Sequence, residues 1–202
     1  MEDKPYTFAL FGRSGAGKGE QSDKLVEYLN KSYSGTDTLH IVTGKLFREF
    51  TKNNTSHSRD LVDDVLNEGG LLPAFLPIWM WSNFLVNNYT GKENIVFDGV
   101  ARRIEEAPIL EEALRFYKRQ TPFVVYIDVP REVCKQRLLD RGRFDDTEED
   151  IEERLRWYED NVVPVIEFFK KSDHVTFVSV DGEQDIEAVH TEILKKTVLS
   201  LE

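Results

Sequence analysis

The stretch Gly12-Arg-Ser-Gly-Ala-Gly-Lys18 carries the spacing G-x-x-x-x-G-K. Glycines at Gly12, Gly15 and Gly17 let the backbone fold tightly around an anion, with successive N–H groups pointing inward. A helix beginning here adds its positive end, and Lys18 supplies a full charge to the outer oxygens of a polyphosphate. The next residue is Gly19, where the general motif has a Ser or Thr hydroxyl for Mg²⁺, so another group must position the metal. An acid, Glu20, follows at once.

Five arginines follow strand-like runs and a sixth lies on a helical pattern. Arg48 lies in "TGKLFR", Arg102 in "DGVAR", Arg137, Arg141 and Arg143 in "RLLDRGR", and Arg154 in "ERLRWY". The planar guanidinium matches phosphate geometry and keeps its charge near neutral pH, so these residues suit an anionic substrate.

The elements that must carry these groups are legible in the hydrophobic pattern. Strand-like runs occur at Tyr6–Gly12, Leu39–Thr43, Asn94–Asp98, Phe123–Asp128 and His174–Val180. Most are continuous rather than alternating, and helical patterns separate them. This combination predicts a three-layer α/β domain, a parallel five-stranded sheet with helices on both faces. About fifty residues separate the second and third strands. They hold three helical patterns broken at "TKNNTSHS" and "NEGGLLP", so a small helical flap over roughly residues 43–72 is expected. The longest helix starts after "RFDD", with Thr147 as cap and Asp150 completing a capping-box-like arrangement. Its apolar face runs through Ile151, Leu155, Tyr158, Val162, Ile166 and Phe169, and Arg154 sits beside that face.

Composition narrows the partners. The 202-residue chain suits one domain and has a formal net charge of −11, which argues against nucleic acid or an anionic membrane surface. Cys134 is the single cysteine, and His40, His57, His174 and His190 are scattered, so neither an internal disulfide nor a structural zinc site is expected. The longest apolar stretch, Leu71–Trp81, holds two prolines and is too short to span a bilayer, so a cytoplasmic protein is expected.

The ordered motifs "GKGxQ", "TGxLxR", "DGxxR", "RLxxRGRxDD" and "ExRLxxY", spread over about Tyr6 to Gly182, resemble those of the adenylate kinase family of nucleoside monophosphate kinases. The resemblance implies a P-loop NTPase fold with a flap for the monophosphate and a lid over the triphosphate. Only Gly142 separates Arg141 from Arg143, which resembles the short-lid form, here over about residues 138–147. It implies Mg²⁺ arriving with ATP, no zinc, and phosphoryl transfer from ATP to AMP giving two ADP. In that family Gly-Lys-Gly is the usual loop ending, which accounts for Gly19.

Carried over by position, Gly12, Gly15, Ala16, Gly17, Lys18, Gly19 and Glu20 would hold the ATP phosphates, with Arg141 also facing ATP. Arg137 would pack near the ATP base, and Gln184 would lie in the base-binding turn. Thr43, Arg48, Gly70, Leu71, Leu72, Gly99, Val100, Ala101 and Arg102 would form the AMP site, with Glu106 beside the base. Arg143 and Arg154 would reach the phosphoryl groups being exchanged, Asp98 would hold water ligands of Mg²⁺, and Asp145 and Asp146 would orient lid arginines or simply form a charged approach to the Thr147 cap, two compatible readings. MgATP with AMP brings roughly −4 of charge, against about +7 from Lys18 and the six arginines, so the pocket is cationic on an acidic protein.

Several residues depart from the family pattern. Glu20 replaces a threonine, and a carboxylate about 4 Å from a phosphate charge would be repelled by about 4 kcal/mol. Either it points away along the first helical turn and pairs with Lys24, or it helps to hold the hydrated metal. Glu106 replaces a glutamine that recognises adenine, and an ionised carboxylate cannot donate to a ring nitrogen. Lys45 replaces an aspartate, and Val100-Ala101 replaces Phe-Pro. The aromatic group Phe75, Trp79, Trp81 and Phe84 reads as core, and with no evident apolar surface stripe a monomer is expected. Three functions therefore stand: an adenylate kinase, a kinase for another monophosphate such as UMP or CMP, prompted by Glu106, and a catalytically inactive nucleotide-binding regulator, prompted by Glu20.

Overall fold

The computed structural model describes residues 5–33, 35–67, 70, 72–142 and 146–200. Five parallel strands, β1 (Thr7–Phe11), β2 (Thr38–Val42), β3 (Asn94–Asp98), β4 (Phe123–Asp128) and β5 (Thr176–Asp181), form one sheet in the order β2-β3-β1-β4-β5. Every pairing is parallel, for example Ala9 with Phe97 and Leu10 with Val125. The apolar runs of β1, β3 and β4 are continuous because both faces of the sheet are covered. Phe8, Leu10, Val96, Phe123, Val125 and Ile127 enter one buried cluster; Ala9, Phe11, Ile95, Phe97 and Val124 enter another. The first cluster is closed by α1 (Lys18–Ser32), α6 (Arg131–Arg141) and α9 (Ile186–Lys196). The second is closed by α4 (Phe75–Asn88), α5 (Glu106–Phe116) and α8 (Val163–Lys171).

Between β2 and β3 the chain forms α2 (Thr43–Asn53), α3 (His57–Asn67) and α4. A third, smaller cluster of Phe47, Val62, Leu72 and Met80 holds these helices together. Thr43 starts α2 instead of ending β2, since the chain turns into a helix directly after Val42. The aromatic group of α4 divides by face. Trp81 is buried against Phe97, whereas Phe75 is 66% and Trp79 46% exposed. Phe75, Trp79 and the exposed Val86 share one side of the helix, so an apolar surface stripe does exist, contrary to the sequence reading.

The long helix begins at Thr147, whose hydroxyl accepts from the Asp150 amide at 3.2 Å and donates to its carboxylate at 2.6 Å. It runs as α7 (Glu148–Trp157), a five-residue π-helical stretch (Tyr158–Val162) and α8. All six expected face residues are buried, but they serve two cores. Ile151 and Leu155 join the first cluster, and Tyr158, Val162, Ile166 and Phe169 join the second. The wider π turn marks the changeover, where the helix passes from one side of the sheet to the other.

Candidate active site

The loop Gly12–Gly17 joins the C-terminal end of β1 to α1, which starts at Lys18. Gly15 has φ +85, and a Cβ there would lie 2.7 Å from the backbone oxygen of Cys134. The loop therefore seats directly on α6, which only glycine permits. Lys18 folds back, its Nζ donating to the carbonyls of Gly12 (2.9 Å) and Arg13 (2.8 Å). Burial, then the nearby Arg102 charge, lowers its pKa to about 8, opposed by Asp98.

Asp98 ends β3, the neighbour of β1, which brings its carboxylate beside the loop. Its Oδ2 lies 3.8 Å from where a Cβ on Gly19 would stand. Gly99, with φ +75, turns the chain sharply after it, and the Arg102 Nη2 lies 2.8 Å from where a Cβ on Gly99 would be. Arg102 thus packs back over the turn and faces the loop lysine. Val100 and Ala101 are buried, Ala101 at φ +47. The Asp98 carboxylate beside the phosphate loop offers hard oxygen donors of the kind a divalent cation takes; among the described residues no three His, Cys, Asp or Glu side chains converge.

On the other side, Asp146 has a side chain with no exposure. It accepts from Arg141 Nε (2.8 Å) and Nη2 (2.7 Å) and from Arg154 Nη2 (2.8 Å). One buried carboxylate thus orients two cations from different helices, as expected for this position. Asp145, Arg143 and Leu71 lie outside the described residues. Arg137 donates through both Nη atoms to the Gly182 carbonyl at 3.0 Å, which clamps it to the turn after β5. Gln184 sits exposed in that turn, bonded to the Glu192 carboxylate and the Asp181 carbonyl.

These pieces surround a cleft of about 220 Å³ at the C-terminal ends of the strands, where the chain changes direction around β1. Of the expected residues, Gly12, Lys18, Gly70, Gly99, Val100, Arg102 and Arg154 line it. Arg137, Arg141, Gln184, Arg48, Thr43, Glu106, Ala101 and Leu72 stand outside that lining, as do Gly15, Ala16, Gly17, Gly19, Glu20 and Asp98. Arg48 is exposed, its Nη1 folded back over Gly44 of its own helix. Thr43 is buried with a hydroxyl that finds no protein partner.

Sequence reasoning did not select Ser14, Glu153, Trp157, Tyr158 or Val162, which also line the cleft. Ser14 is a variable position inside the phosphate-loop motif, and the others carry only adjacency to Arg154 or the helical spacing of the long helix. Glu20 is exposed in the first turn of α1, but Lys24 pairs with Glu187 at 2.5 Å, not with Glu20 as expected. Glu187 of α9 bonds the Lys24 ammonium directly and is the main cause of its raised pKa, while Glu20 acts on it only as a weaker nearby charge. Glu106 is 2% exposed. Its Oε1 accepts from the Arg103 amide at 3.1 Å and its Oε2 is buried with no protein partner; burial raises its pKa to about 7.

A phosphate loop, a carboxylate beside it and arginines converging from β3 and α7 form a phosphoryl-transfer constellation. Comparison with known proteins agrees. A family profile described as adenylate kinase matches residues 10–174. An adenylate kinase of Prochlorococcus marinus (strain MIT 9301) is 33% identical over 93% of this chain and 96% of its own. One from Porphyromonas gingivalis (strain W83) is 33% identical over 81% of this chain and 82% of its own. A uridylate kinase of Saccharomyces cerevisiae is 28% identical over 95% and 90%. With the fold, the loop and this extent of similarity in agreement, the chain belongs to the adenylate kinase family.

Proposed function

We propose that this protein transfers the terminal phosphoryl group of ATP to AMP, giving two ADP, reversibly and with Mg²⁺. The observation that carries the reading is the convergence of Lys18, Arg102 and Arg154 on one cleft at the sheet's C-terminal edge. Lys18 leaves its parking place on the loop carbonyls to meet the outer phosphates of ATP, whose negative charge favours the ammonium form further. Arg102 holds the monophosphate, and Arg154, aimed by Asp146, meets the group in transfer together with Arg143. Mg²⁺ bound with the triphosphate would be held through water by Asp98 and would neutralise charge on the phosphates. The transferring group needs no covalent intermediate, so positioning and fixed positive charge supply the catalysis.

The helices α2 and α3 act as the monophosphate flap and residues 138–147 as the short lid. Their closure keeps water from taking the phosphoryl group. We place the enzyme in the cytoplasm, while the exposed stripe of Phe75, Trp79 and Val86 removes the ground on which a monomer was expected.

A second reading, a kinase selecting another base, draws on Glu106 and on the relative named uridylate kinase. The deciding test is diphosphate formation from ATP and each of AMP, CMP, UMP and GMP with purified protein. Turnover of AMP above the others supports the proposal, and preference for another base supports the second reading. Tight ATP binding without transfer to any of them overturns both and leaves a regulatory binder.

A further inference from the structure

The second residue of the phosphate loop has a side chain that leaves the loop and grips the long helix. Arg13 donates from Nη1 to the Val129 carbonyl at 3.1 Å, just after β4. Its Cζ lies 5.0 Å from the centroid of the Tyr158 ring, and its Nη2 lies 3.9 Å from Glu159. Tyr158 is 3% exposed, begins the π-helical stretch and lines the cleft. The Arg13 Nε is buried with no acceptor, so the ring face and the Val129 carbonyl carry the anchoring. Meanwhile the Arg13 backbone carbonyl accepts from Lys18 Nζ at 2.8 Å and from the Ala16 amide at 3.1 Å. One residue therefore touches both the loop lysine and the helix that carries Arg154 four positions before Tyr158.

We infer that Arg13 is a positioning residue, a strap that fixes the phosphate loop against the π turn and so sets Lys18 and Arg154 at a working separation. The inference rests on the kinase reading of the site. Three features support a strap over a chance surface contact. The guanidinium is mostly withdrawn from water, with a side-chain exposure of 19%, which strengthens its attraction to the ring. Arginine is needed because its plane covers the ring while its edge still donates, which an ammonium does not do. The partner helix is itself fixed: Arg131 of α6 bonds Glu159 at 3.0 Å and Glu152 at 2.6 Å, and Lys135 bonds Glu148 and Glu152. The strap thus pulls the loop onto a rigid support at the place where the helix changes from one core to the other.

The test uses the full chain and the variants Arg13→Met, Arg13→Lys, Tyr158→Leu and the double variant Arg13→Met/Tyr158→Leu. Kinetics with ATP and AMP are read together with hydrogen exchange of the ligand-free protein. The strap predicts that Arg13→Met lowers kcat about tenfold with less than a threefold change in KM for ATP, and that Arg13→Lys recovers part of the loss. It also predicts that the double variant is no slower than the slower single one. In the ligand-free protein, Arg13→Met should speed amide exchange both in residues 12–18 and in 158–162. Wild-type kcat in Arg13→Met, multiplicative losses in the double variant, or exchange unchanged in 158–162 would each overturn the strap. If wild-type protein makes no ADP, the kinase reading fails, while the exchange measurement still decides whether Arg13 couples loop and helix.

Discussion

The buried carboxylate of Asp146 holds Arg154 through a 2.8 Å bond from Nη2, and the residue it holds lines the cleft. The same carboxylate takes a two-pronged contact from Arg141, so the end of α6 and the last turn of α7 are aimed by one group. Replacing it with asparagine keeps the shape and removes the charge that organises both cations. Asp146→Asn should lower kcat by about tenfold to a hundredfold, with a smaller change in KM, because orientation is lost more than binding. Steady-state kinetics in both directions check this, and an unchanged kcat would remove Asp146 from the site.

Lys18 gives the free enzyme a pH signature. Its pKa is lowered to about 8, so the ammonium is fully formed below that pH and is lost above it. Phosphate binding favours the charged form, so kcat/KM for ATP should hold level up to about pH 8 and then fall. ATP binding near pH 9 should take up a proton, visible as buffer-dependent heat in calorimetry. Lys18→Met should reduce transfer by orders of magnitude at any pH while leaving the thermal midpoint close to wild type.

Glu106 reports through stability. Burial raises its pKa from 4.5 to about 7, so between these values the folded state holds a proton that the unfolded state has released. Stability must therefore fall as pH rises from about 4.5 to 7 and level off above, a loss on the order of 3 kcal/mol from this group. Glu106→Gln should abolish that slope and be the more stable protein at pH 8, which denaturant titrations across pH will show. In the base panel it should raise the preference for AMP, since an amide donates where an ionised carboxylate does not.

Gly99 tests the placing of Arg102. A methyl group there meets the Arg102 guanidinium within 2.8 Å and forces a left-handed backbone on alanine, at a cost of roughly 1 kcal/mol or more. Gly99→Ala should raise KM for AMP several-fold with little effect on that for ATP, and Arg102→Ala should cut transfer by orders of magnitude. Equal effects on both substrates would show that Arg102 does not serve the monophosphate side.

Glu20 separates two roles by metal. It is exposed at the start of α1 and leaves Lys24 to Glu187. A carboxylate that serves only the helix N-terminus predicts that Glu20→Thr leaves the Mg²⁺ dependence of turnover unchanged and lowers stability by a few tenths of a kcal/mol. A shift in the Mg²⁺ midpoint would assign it to the hydrated metal instead.

What the sequence determined by itself is local and periodic. Continuous apolar runs require a sheet covered on both faces, and the strands at Asn94–Asp98 and Phe123–Asp128 appear where the pattern puts them. The glycine spacing specified a turn that only glycine can make, and Thr147 capped its helix through a contact three residues away. Contacts between distant segments were decided by the tertiary structure. Lys24 met Glu187 across 163 positions, Arg137 met the Gly182 carbonyl across 45, and Arg13 met Val129 across 116. No periodicity encodes such meetings, because they depend on which helix ends lie side by side once strand order is set. The same holds for the faces of α4, where Trp81 entered the core and Phe75 and Trp79 stayed in water. Hydrophobicity marks residues that gain from burial, but the sheet surface offers room for only one side of a helix, and which side is settled by packing.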